Sequence, residues 1–218
     1  MSTVNFHHID CLQFMKSKPD GFWDLAVVDP DFGLDDKISN GGTWAAKYKK
    51  GDGVLGGKPT KEYFEELFRT SKNQIIWGGN YFIDFLYSSR CYIIWDKIAQ
   101  MDTLADCEMA WTSFDKNAKI FRHARNTNET RIHITQKPID LYRWTLHKFA
   151  TKGMKIIDTH GGSMSSAIAC DMEGYDLDIC EIDKEYFDSG VARFKEYRRH
   201  PVMFPVSAPQ IVEQAKLF

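Results

Sequence analysis

Short apolar runs alternate with longer amphipathic segments along most of this chain. The run at residues 24–29 (DLAVVD) is apolar at every position between two acids, which is typical of a strand buried on both faces of a parallel sheet. Segments in which apolar residues recur every three or four positions predict helices. The alternation predicts an α/β fold with a mostly parallel central sheet and helices on both of its faces.

The individual elements follow from the same pattern and from turn-forming residues between them. The predicted strands cover residues 4–9, 24–29, 74–77, 91–95, 107–114, 119–122, 155–158 and 176–181. The predicted helices cover residues 11–16, 60–71, 80–86, 138–150, a segment ending at Met172, and 184–197. The strands at 107–114 and 119–122 are expected to pair as an antiparallel hairpin at one edge of the sheet.

The domain organisation is expected to be simple. A length of 218 residues suits one domain with a full core, and we assign it to residues 1–199. Residues 34–59 contain six glycines and are expected to form a long mobile loop. Residues 200–218 contain three prolines and no clear period, so they are predicted to be an extended tail.

Composition narrows the function classes. A net charge of −2 and a pI of about 6.4 exclude a protein that coats nucleic acid generally, so any contact with DNA must use local basic patches. The five cysteines form no Cys-x-x-Cys pair, so neither a metal site nor a disulfide framework is predicted. No signal peptide or membrane span is apparent, and reduced thiols favour a cytoplasmic location.

The first candidate site is a turn that follows the strand at 155–158. Asp158 closes that strand, Gly161 and Gly162 follow, and a helix of small residues begins after them. Glycines let the backbone approach a ligand, and a helix N-terminus supplies hydrogen-bond donors. The next strand ends at Glu181, an acid that could accept ribose hydroxyls. A purely structural turn remains an alternative, and Met164 breaks the glycine pattern of dinucleotide-binding folds.

The second candidate site is the segment 29–33 (DPDFG), which follows the buried strand at 24–29. A simple tight turn would explain these residues, whereas a kinase is disfavoured because no His-Arg-Asp loop is present. An exocyclic amine is a poor nucleophile, and two acceptors for its hydrogens would direct its lone pair at a methyl donor. The Asp29 carboxylate and the Pro30 carbonyl could be those acceptors, and Phe32 could stack on a flipped-out base.

The two sites together resemble the amino-methyltransferase family of DNA methylases, in the permuted order with the catalytic motif before the cofactor motif. The likeness covers about residues 4–197 and is greatest for small phage and prophage members. It implies a Rossmann-like methyltransferase fold, S-adenosylmethionine as cofactor and double-stranded DNA as substrate. The family's catalytic motif corresponds to Asp29, Pro30, Asp31 and Phe32. Its cofactor-binding positions correspond to Asp10, Cys11, Lys137, Pro138, Asp158, Thr159, His160, Gly161, Gly162, Ser163, Ser165, Glu181 and Asp183.

The sequence departs from the family pattern at several positions. Asp31 replaces the second proline of the Asp-Pro-Pro-Tyr motif, and Phe32 replaces its tyrosine. His160 and Met164 replace the usual phenylalanine and second glycine of the cofactor loop. These changes leave open full activity, weak activity, and a fold that has lost its chemistry. Aspartate at the head of the motif favours adenine N6 over cytosine N4 by family habit, and cytosine N4 remains an alternative.

Two basic stretches are candidates for contact with DNA, although either could be a solvated face. The first, with Lys58 and Lys61 at its end, is predicted to be a closing lid. The second lies within the expected recognition hairpin, residues 107–131, and also contains Lys116, Lys119 and His123. The residues assigned to DNA binding are Lys47, Lys49, Lys50, Arg122, Arg125 and Arg131.

The C-terminal residues and the small recognition region suggest binding partners, and with them an alternative, non-catalytic function. Gln214–Phe218 resembles the peptide that docks on bacterial sliding clamps, although an incidental tail would explain it equally well. A small recognition region favours a short target site or a homodimer that shares the recognition. The main rival to an enzyme is a non-catalytic DNA-binding or clamp-binding protein that kept the fold, and an oxidoreductase is disfavoured.

Overall fold

The computed structural model describes residues 2–33, 57–98, 105–124, 131–133 and 135–200. Its strands are β1 (Val4–His8), β2 (Trp23–Val28), β3 (Ser71–Trp77), β4 (Tyr92–Asp96), β5 (Cys107–Thr112), β6 (Lys119–Arg122), β7 (Lys155–Asp158) and β8 (Asp176–Glu181). Its α-helices are α1 (Cys11–Lys16), α2 (Lys61–Thr70), α3 (Ile139–Phe149), α4 (Ser165–Glu173) and α5 (Lys184–Arg199). These elements confirm the predicted α/β fold.

The eight strands of the described residues form one sheet in the order β1-β8-β7-β2-β3-β5-β4-β6. All pairings are parallel except those of β5, which runs antiparallel to both β3 and β4. The chain leaves β2 toward β3 on one side and leaves β7 toward β8 on the other. The boundary between β2 and β7 is therefore a topological switch point, where ligands of open α/β sheets usually bind.

One predicted pairing is wrong. The segments 107–114 and 119–122 were expected to form a hairpin, but β5 and β6 are not paired with each other. Strand β4 lies between them, antiparallel to β5 and parallel to β6. The predicted helix at 80–86 is also shorter than expected, because only a 3-10 turn at Gly79–Tyr81 forms there. The pairing of β5 and β6 was mispredicted because short strands that are apolar at alternate positions carry no information about which neighbour they pair with.

Two hydrophobic cores cover the two faces of the sheet. Alternate residues of β2 point into different cores, so that Leu25 and Val27 pack with α3, α4 and α5. Ala26 and Val28 pack with α1 and α2 on the other face. The helices on both faces bury the central strands almost completely, which explains why their sequences are continuously apolar rather than alternating.

The sheet brings the two candidate sites to the same edge. Leu25 pairs with Ile156 and Ala26 with Ile157, so Asp29 and Asp158 lie at the carboxyl ends of adjacent parallel strands. His8 pairs with Glu181 in the same direction. Within the described residues, no helix is both long and apolar enough to cross a membrane. No cluster of three or more potential metal ligands occurs among those residues either.

Candidate active site at the carboxyl edge of the sheet

The segment after β2, residues 29–33, forms a compact loop that we call the catalytic loop. Pro30 is buried, and the side chains of Asp29, Asp31 and Phe32 are partly buried. Asp31 Oδ1 accepts a hydrogen bond from the backbone N–H of Gly33 at 2.9 Å, which closes the loop as an Asx-turn. The short loop therefore holds two acidic side chains at the switch point.

Asp29 belongs to a chain of buried charges that the sequence did not reveal. Its Oδ2 forms an ion pair with the ammonium of Lys137. Lys137 also lies 3.1 Å from Oε2 of Glu108, and Glu108 Oε1 lies 2.8 Å from the ammonium of Lys97. The two lysines are almost fully buried, so each depends on its carboxylate partners. The Lys97–Glu108–Lys137 chain thereby connects β4 and β5 to the catalytic loop.

The protonation of this chain follows from burial and pairing. Burial raises the pKa of Asp29, and Lys137 compensates for only part of that effect. Burial would also raise the pKa of Glu108, but Lys137 and Lys97 together outweigh it and bring that pKa to about 2. Glu108 is therefore ionised at any ordinary pH, and together with Asp29 it raises the pKa of Lys137 and favours its charged form.

Phe32 lies in an aromatic cluster beside the acidic side chains. Its ring stacks on Tyr81 with centroids 4.9 Å apart and planes 14° from parallel. Another neighbour is Gly78, which has a left-handed backbone at φ +68°, and a Cβ there would fall 2.0 Å from Cε1 of Phe32. Only glycine fits this position. Tyr81 is 40% exposed, so the cluster presents an aromatic surface to solvent.

The segment that begins with the last residue of β7, residues 158–165, is the second loop, which we call the cofactor loop. Asp158 Oδ1 accepts from the backbone N–H of His160 at 3.0 Å, and Oδ2 accepts from the Ser166 hydroxyl at 2.5 Å. Burial raises the pKa of Asp158 to about 7. Burial lowers the pKa of His160 to about 4, so this ring is neutral near neutral pH.

The cofactor loop is anchored to the end of β8 through Glu181. One carboxylate oxygen of Glu181 accepts from the Gly162 N–H at 2.8 Å, and the other accepts from the Asp183 N–H at 2.9 Å. Burial raises the pKa of Glu181. The acid predicted to bind ribose therefore already orients the glycine turn, and each of its oxygens keeps a second lone pair for a ligand.

Met164 occupies the position where the family pattern has glycine, and the backbone there is left-handed at φ 58°. Its side chain is fully buried. A Cβ on Gly190 of α5 would fall 2.5 Å from Met164 Cγ and 2.8 Å from the Gly162 carbonyl oxygen. Gly190 therefore provides the space that Met164 needs, and the packing of this side chain offsets the strain of its backbone.

Other predicted cofactor residues serve the local structure. Asp10 caps α1 by accepting from the Gln13 N–H at 2.8 Å, and Asp183 caps α5 by accepting from the Tyr186 N–H at 2.9 Å. Burial raises the pKa of the Cys11 thiol to about 12, so it is not a nucleophile. Pro138 lies at the N-cap of α3. Lys137, predicted to bind the cofactor, directs its ammonium to Asp29 and Glu108.

Three contacts fix the cofactor loop from outside it and were missed by sequence reasoning. The Tyr63 hydroxyl of α2 lies 2.7 Å from Thr159 Oγ1. Arg193 of α5 donates to the Ser163 carbonyl at 2.7 Å and to Ser165 Oγ at 3.0 Å. In the sequence, Tyr63 only belongs to the apolar face of a predicted helix, and Arg193 is one of several basic residues in another. No local pattern marks either contact, because the partners are distant in sequence.

The predicted basic stretches are divided by the fold. Lys47, Lys49, Lys50 and Arg125 lie outside the described residues, as does the tail at 201–218. Arg122 ends β6 at the carboxyl edge and pairs with Asp96 at 3.3 Å. Lys116 and Lys119 lie at the start of β6, toward the opposite edge. Arg131 lies in the short described segment 131–133. The second stretch is therefore not one continuous surface beside the site.

Comparison with known proteins identifies the fold. No family model matches the sequence, and no curated protein matches it. Solved structures do match. M1.HpyAVI in complex with SAM has a TM-score of 0.58 at 16% identity, over 88% of this chain and 100% of that one. The cytosine-N4-specific PvuII DNA methyltransferase has a TM-score of 0.61 at 11% identity, over 94% of both chains.

A third similar structure is TTHA0409 from Thermus thermophilus, named as a candidate DNA modification methylase. It has a TM-score of 0.58 at 15% identity and covers 91% of this chain and 96% of its own. At sequence identities this low, the structural similarity establishes a shared fold and nothing more. The chain thus has the α/β fold of S-adenosylmethionine-dependent DNA methyltransferases, with a mixed eight-stranded sheet in its described residues.

Proposed function

We propose that this protein transfers a methyl group from S-adenosylmethionine to an exocyclic amino group of a DNA base, with adenine N6 as the preferred target. One observation carries the proposal. The catalytic loop and the cofactor loop follow adjacent parallel strands at the switch point of the sheet, where ligands of open α/β sheets usually bind. The solved structures of similar fold include a DNA methyltransferase and a SAM complex.

The cofactor side has the features that an adenosine-type ligand needs. Its glycine turn is held from three sides, by Tyr63, Arg193 and Glu181. Glu181 and Asp10 lie at the ends of paired strands β8 and β1, where acids can accept ribose hydroxyls. S-adenosylmethionine, when bound, supplies a methyl group on a positively charged sulfur. The residues present are compatible with this group.

The chain's own contribution to the reaction is positioning and electrostatics. Lys137 holds Oδ2 of Asp29 and leaves Oδ1 of the same carboxylate buried without a hydrogen-bond partner among the described residues. Such a pre-oriented acceptor can take a hydrogen of the target amine and direct its lone pair at the methyl carbon. Phe32 and Tyr81 offer aromatic faces on which a flipped-out base can stack, as enzymes that modify bases require.

The test is incubation of purified protein with unmethylated DNA and S-adenosylmethionine labelled in its methyl group, followed by digestion to nucleosides. Label in N6-methyladenine supports the proposal in full, and label in N4-methylcytosine changes only the base. An Asp29→Asn variant serves as the matched control and should incorporate no label. Cofactor binding by the wild type without any label in DNA would instead favour a non-catalytic protein that kept the fold.

The surface that binds DNA is a separate proposal. Arg122 lies at the carboxyl edge, and we assign it to phosphate contact together with Arg125 and Arg131. Replacing all three by glutamine should weaken DNA binding and lower its dependence on salt by about one counterion for each arginine replaced. Replacing Lys116 and Lys119, which lie toward the opposite edge, is the control. Equal affinities for the two variants would remove the arginines from the interface.

The last five residues, Gln214–Phe218, are proposed to dock on a sliding clamp. A linear motif with two apolar anchors in a tail is sufficient for this mode of binding. A pull-down with purified clamp, compared between the full chain and a chain lacking these residues, tests it. Equal retention of the two chains would rule the motif out.

A further inference from the structure

The two acids of the catalytic loop share an arrangement that the proposed methyl transfer does not yet explain. In each, one carboxylate oxygen is held and the other is left without a hydrogen-bond partner among the described residues. Asp29 Oδ2 pairs with Lys137, whereas Oδ1 is buried and unpartnered. Asp31 Oδ1 accepts from the Gly33 N–H, whereas Oδ2 is buried and unpartnered. A buried acceptor without a donor is costly, and a native structure that keeps two needs a reason.

We propose that Asp31, rather than the Pro30 carbonyl expected from the sequence, is the second amine acceptor of the catalytic loop and receives the proton that the amine releases on methylation. This inference rests on the proposed function. An exocyclic amine has two hydrogens, and the two free carboxylate oxygens, Asp29 Oδ1 and Asp31 Oδ2, match them in number. Asp29 and Asp31 are two residues apart in the same five-residue loop, and both free oxygens are buried there.

The step balances without another reactant. The amine nitrogen uses its lone pair to form a bond to the methyl carbon, and the carbon–sulfur bond breaks with its electron pair going to sulfur. The nitrogen then carries a positive charge and loses one proton. The free oxygen of Asp31 forms the new O–H bond, and the electron pair of the broken N–H bond returns to nitrogen.

The loop geometry explains how aspartate can stand where the family has proline. A proline ring stiffens a loop by fixing its backbone angle. Here the Asx-turn from Asp31 Oδ1 to the Gly33 N–H restrains the same segment through a side-chain hydrogen bond. The replacement thus keeps the loop in place and adds an acceptor that proline does not have. A replacement of proline by aspartate without functional consequence would not require Oδ2 of Asp31 to be buried.

Two substitutions of Asp31 test whether it accepts the proton or is a neutral or harmful replacement of the family's proline. Asp31→Asn keeps the size and the Asx-turn but removes the charge, and Asp31→Pro restores the family residue. If Asp31 accepts the proton, both variants should lower the single-turnover methylation rate on unmethylated DNA by about a hundredfold. Asp106→Asn, which changes an exposed acid just before β5 at the same edge, should leave the rate unchanged.

Urea unfolding provides the readout that does not depend on activity. An acceptor kept for catalysis does not stabilise the fold, so Asp31→Asn should be at least as stable as the wild type. A large loss of stability would indicate a structural role and would overturn the inference. A rate equal to or above that of the wild type in Asp31→Pro would also overturn it while leaving the proposed function intact. An inactive wild type would refute the proposed function, and the inference would fall with it.

Discussion

The catalytic loop and the cofactor loop lie side by side at the carboxyl edge of the sheet, yet they treat their polar groups differently. In the cofactor loop both oxygens of Asp158 and both oxygens of Glu181 accept hydrogen bonds from the protein. In the catalytic loop Asp29 and Asp31 each keep one buried oxygen unpartnered among the described residues. One loop is completed by the fold, and the other is left incomplete.

This contrast indicates what each loop is built for. A loop whose hydrogen bonds are internally satisfied keeps its shape before any ligand arrives, which lowers the cost of binding. A loop with unpartnered acceptors destabilises the free protein and gains that energy back only when donors enter the site. The first arrangement suits recognition of a cofactor, and the second suits stabilisation of a reacting amine.

Removing the charge of Asp29 should have the largest effect. Asp29→Asn retains the side-chain size, but it weakens the pairing with Lys137 and removes the charge of the proposed amine acceptor. We expect the single-turnover methylation rate to fall by about a thousandfold, with cofactor affinity within about threefold of wild type as measured by calorimetry. An equal loss of rate and cofactor affinity would contradict the division of labour between the two loops.

The pH dependence of stability tests whether the cofactor loop is as well satisfied as its hydrogen bonds imply. Because burial raises the pKa of Asp158 to about 7, the folded state binds more protons than the unfolded state between about pH 4 and pH 7. Stability should therefore fall as pH rises through this window, by at most about 4 kcal/mol, and stay level above it.

Asp158→Asn should lack this part of the pH dependence, because asparagine can still accept from His160 and donate to Ser166. Urea unfolding at several pH values between 4 and 8 measures the difference. The Asp106→Asn variant, exposed at the same edge, should retain the wild-type profile. Identical profiles for Asp158→Asn and wild type would show that the Asp158 carboxyl is stabilised in its charged form.

The charge chain behind the catalytic loop should contribute measurably to stability. Glu108→Gln leaves Lys97 and Lys137 buried with fewer compensating charges. Breaking a buried pair costs about 3–5 kcal/mol, and we expect about 2 kcal/mol here because the Glu108 side chain is 27% exposed.

Thermal and urea unfolding of Glu108→Gln measure this loss directly. The control is Glu65→Gln, which removes the exposed surface pair with Lys61 and should lower stability far less, because exposed ion pairs contribute little. Because the pKa of Glu108 is about 2, its contribution is present above about pH 4.5 and is lost as the pH falls toward 2. A wild-type stability for Glu108→Gln would show that the chain does not support the loop.

The smallest predicted change concerns the space beneath Met164. In Gly190→Ala the added Cβ would meet both Met164 Cγ and the Gly162 carbonyl oxygen. We expect a loss of about 1–2 kcal/mol in stability and weaker cofactor binding, because the backbone of the glycine turn must shift. Ser189→Ala, the neighbouring position of α5, is the control. Unchanged cofactor affinity in Gly190→Ala would mean that the turn can move freely.

The central part of the fold was predictable because each buried strand appears in the sequence as a short, continuous apolar run. The apolar run 24–29 and the acid that closes it placed the catalytic loop at a strand end, and the Asp158 turn followed in the same way. Parallel strands with intervening helices then brought both ends to one edge. The bounds of α1, β7, β8 and α5 differ from the predicted ones by two residues or fewer.

The periphery and the long-range contacts were not predictable in this way. The order of β4, β5 and β6 depends on pairing preferences that short strands do not encode. The ion pairs of Glu108 join residues from different parts of the chain, and an isolated glutamate in a strand carries no sign of its partners. Lys137 is predicted from the sequence to bind the cofactor, but only contacts with residues distant in sequence show that its ammonium faces Asp29.

The antiparallel direction of β5 has a practical consequence for protein engineering. Because β5 runs against its neighbours, the connection from β5 to β6 opens at the amino edge, about 20 Å along the sheet from the two loops. Residues 115–118 of this connection are exposed. A fluorescent label or an inserted affinity tag at this position would leave the working edge of the molecule clear.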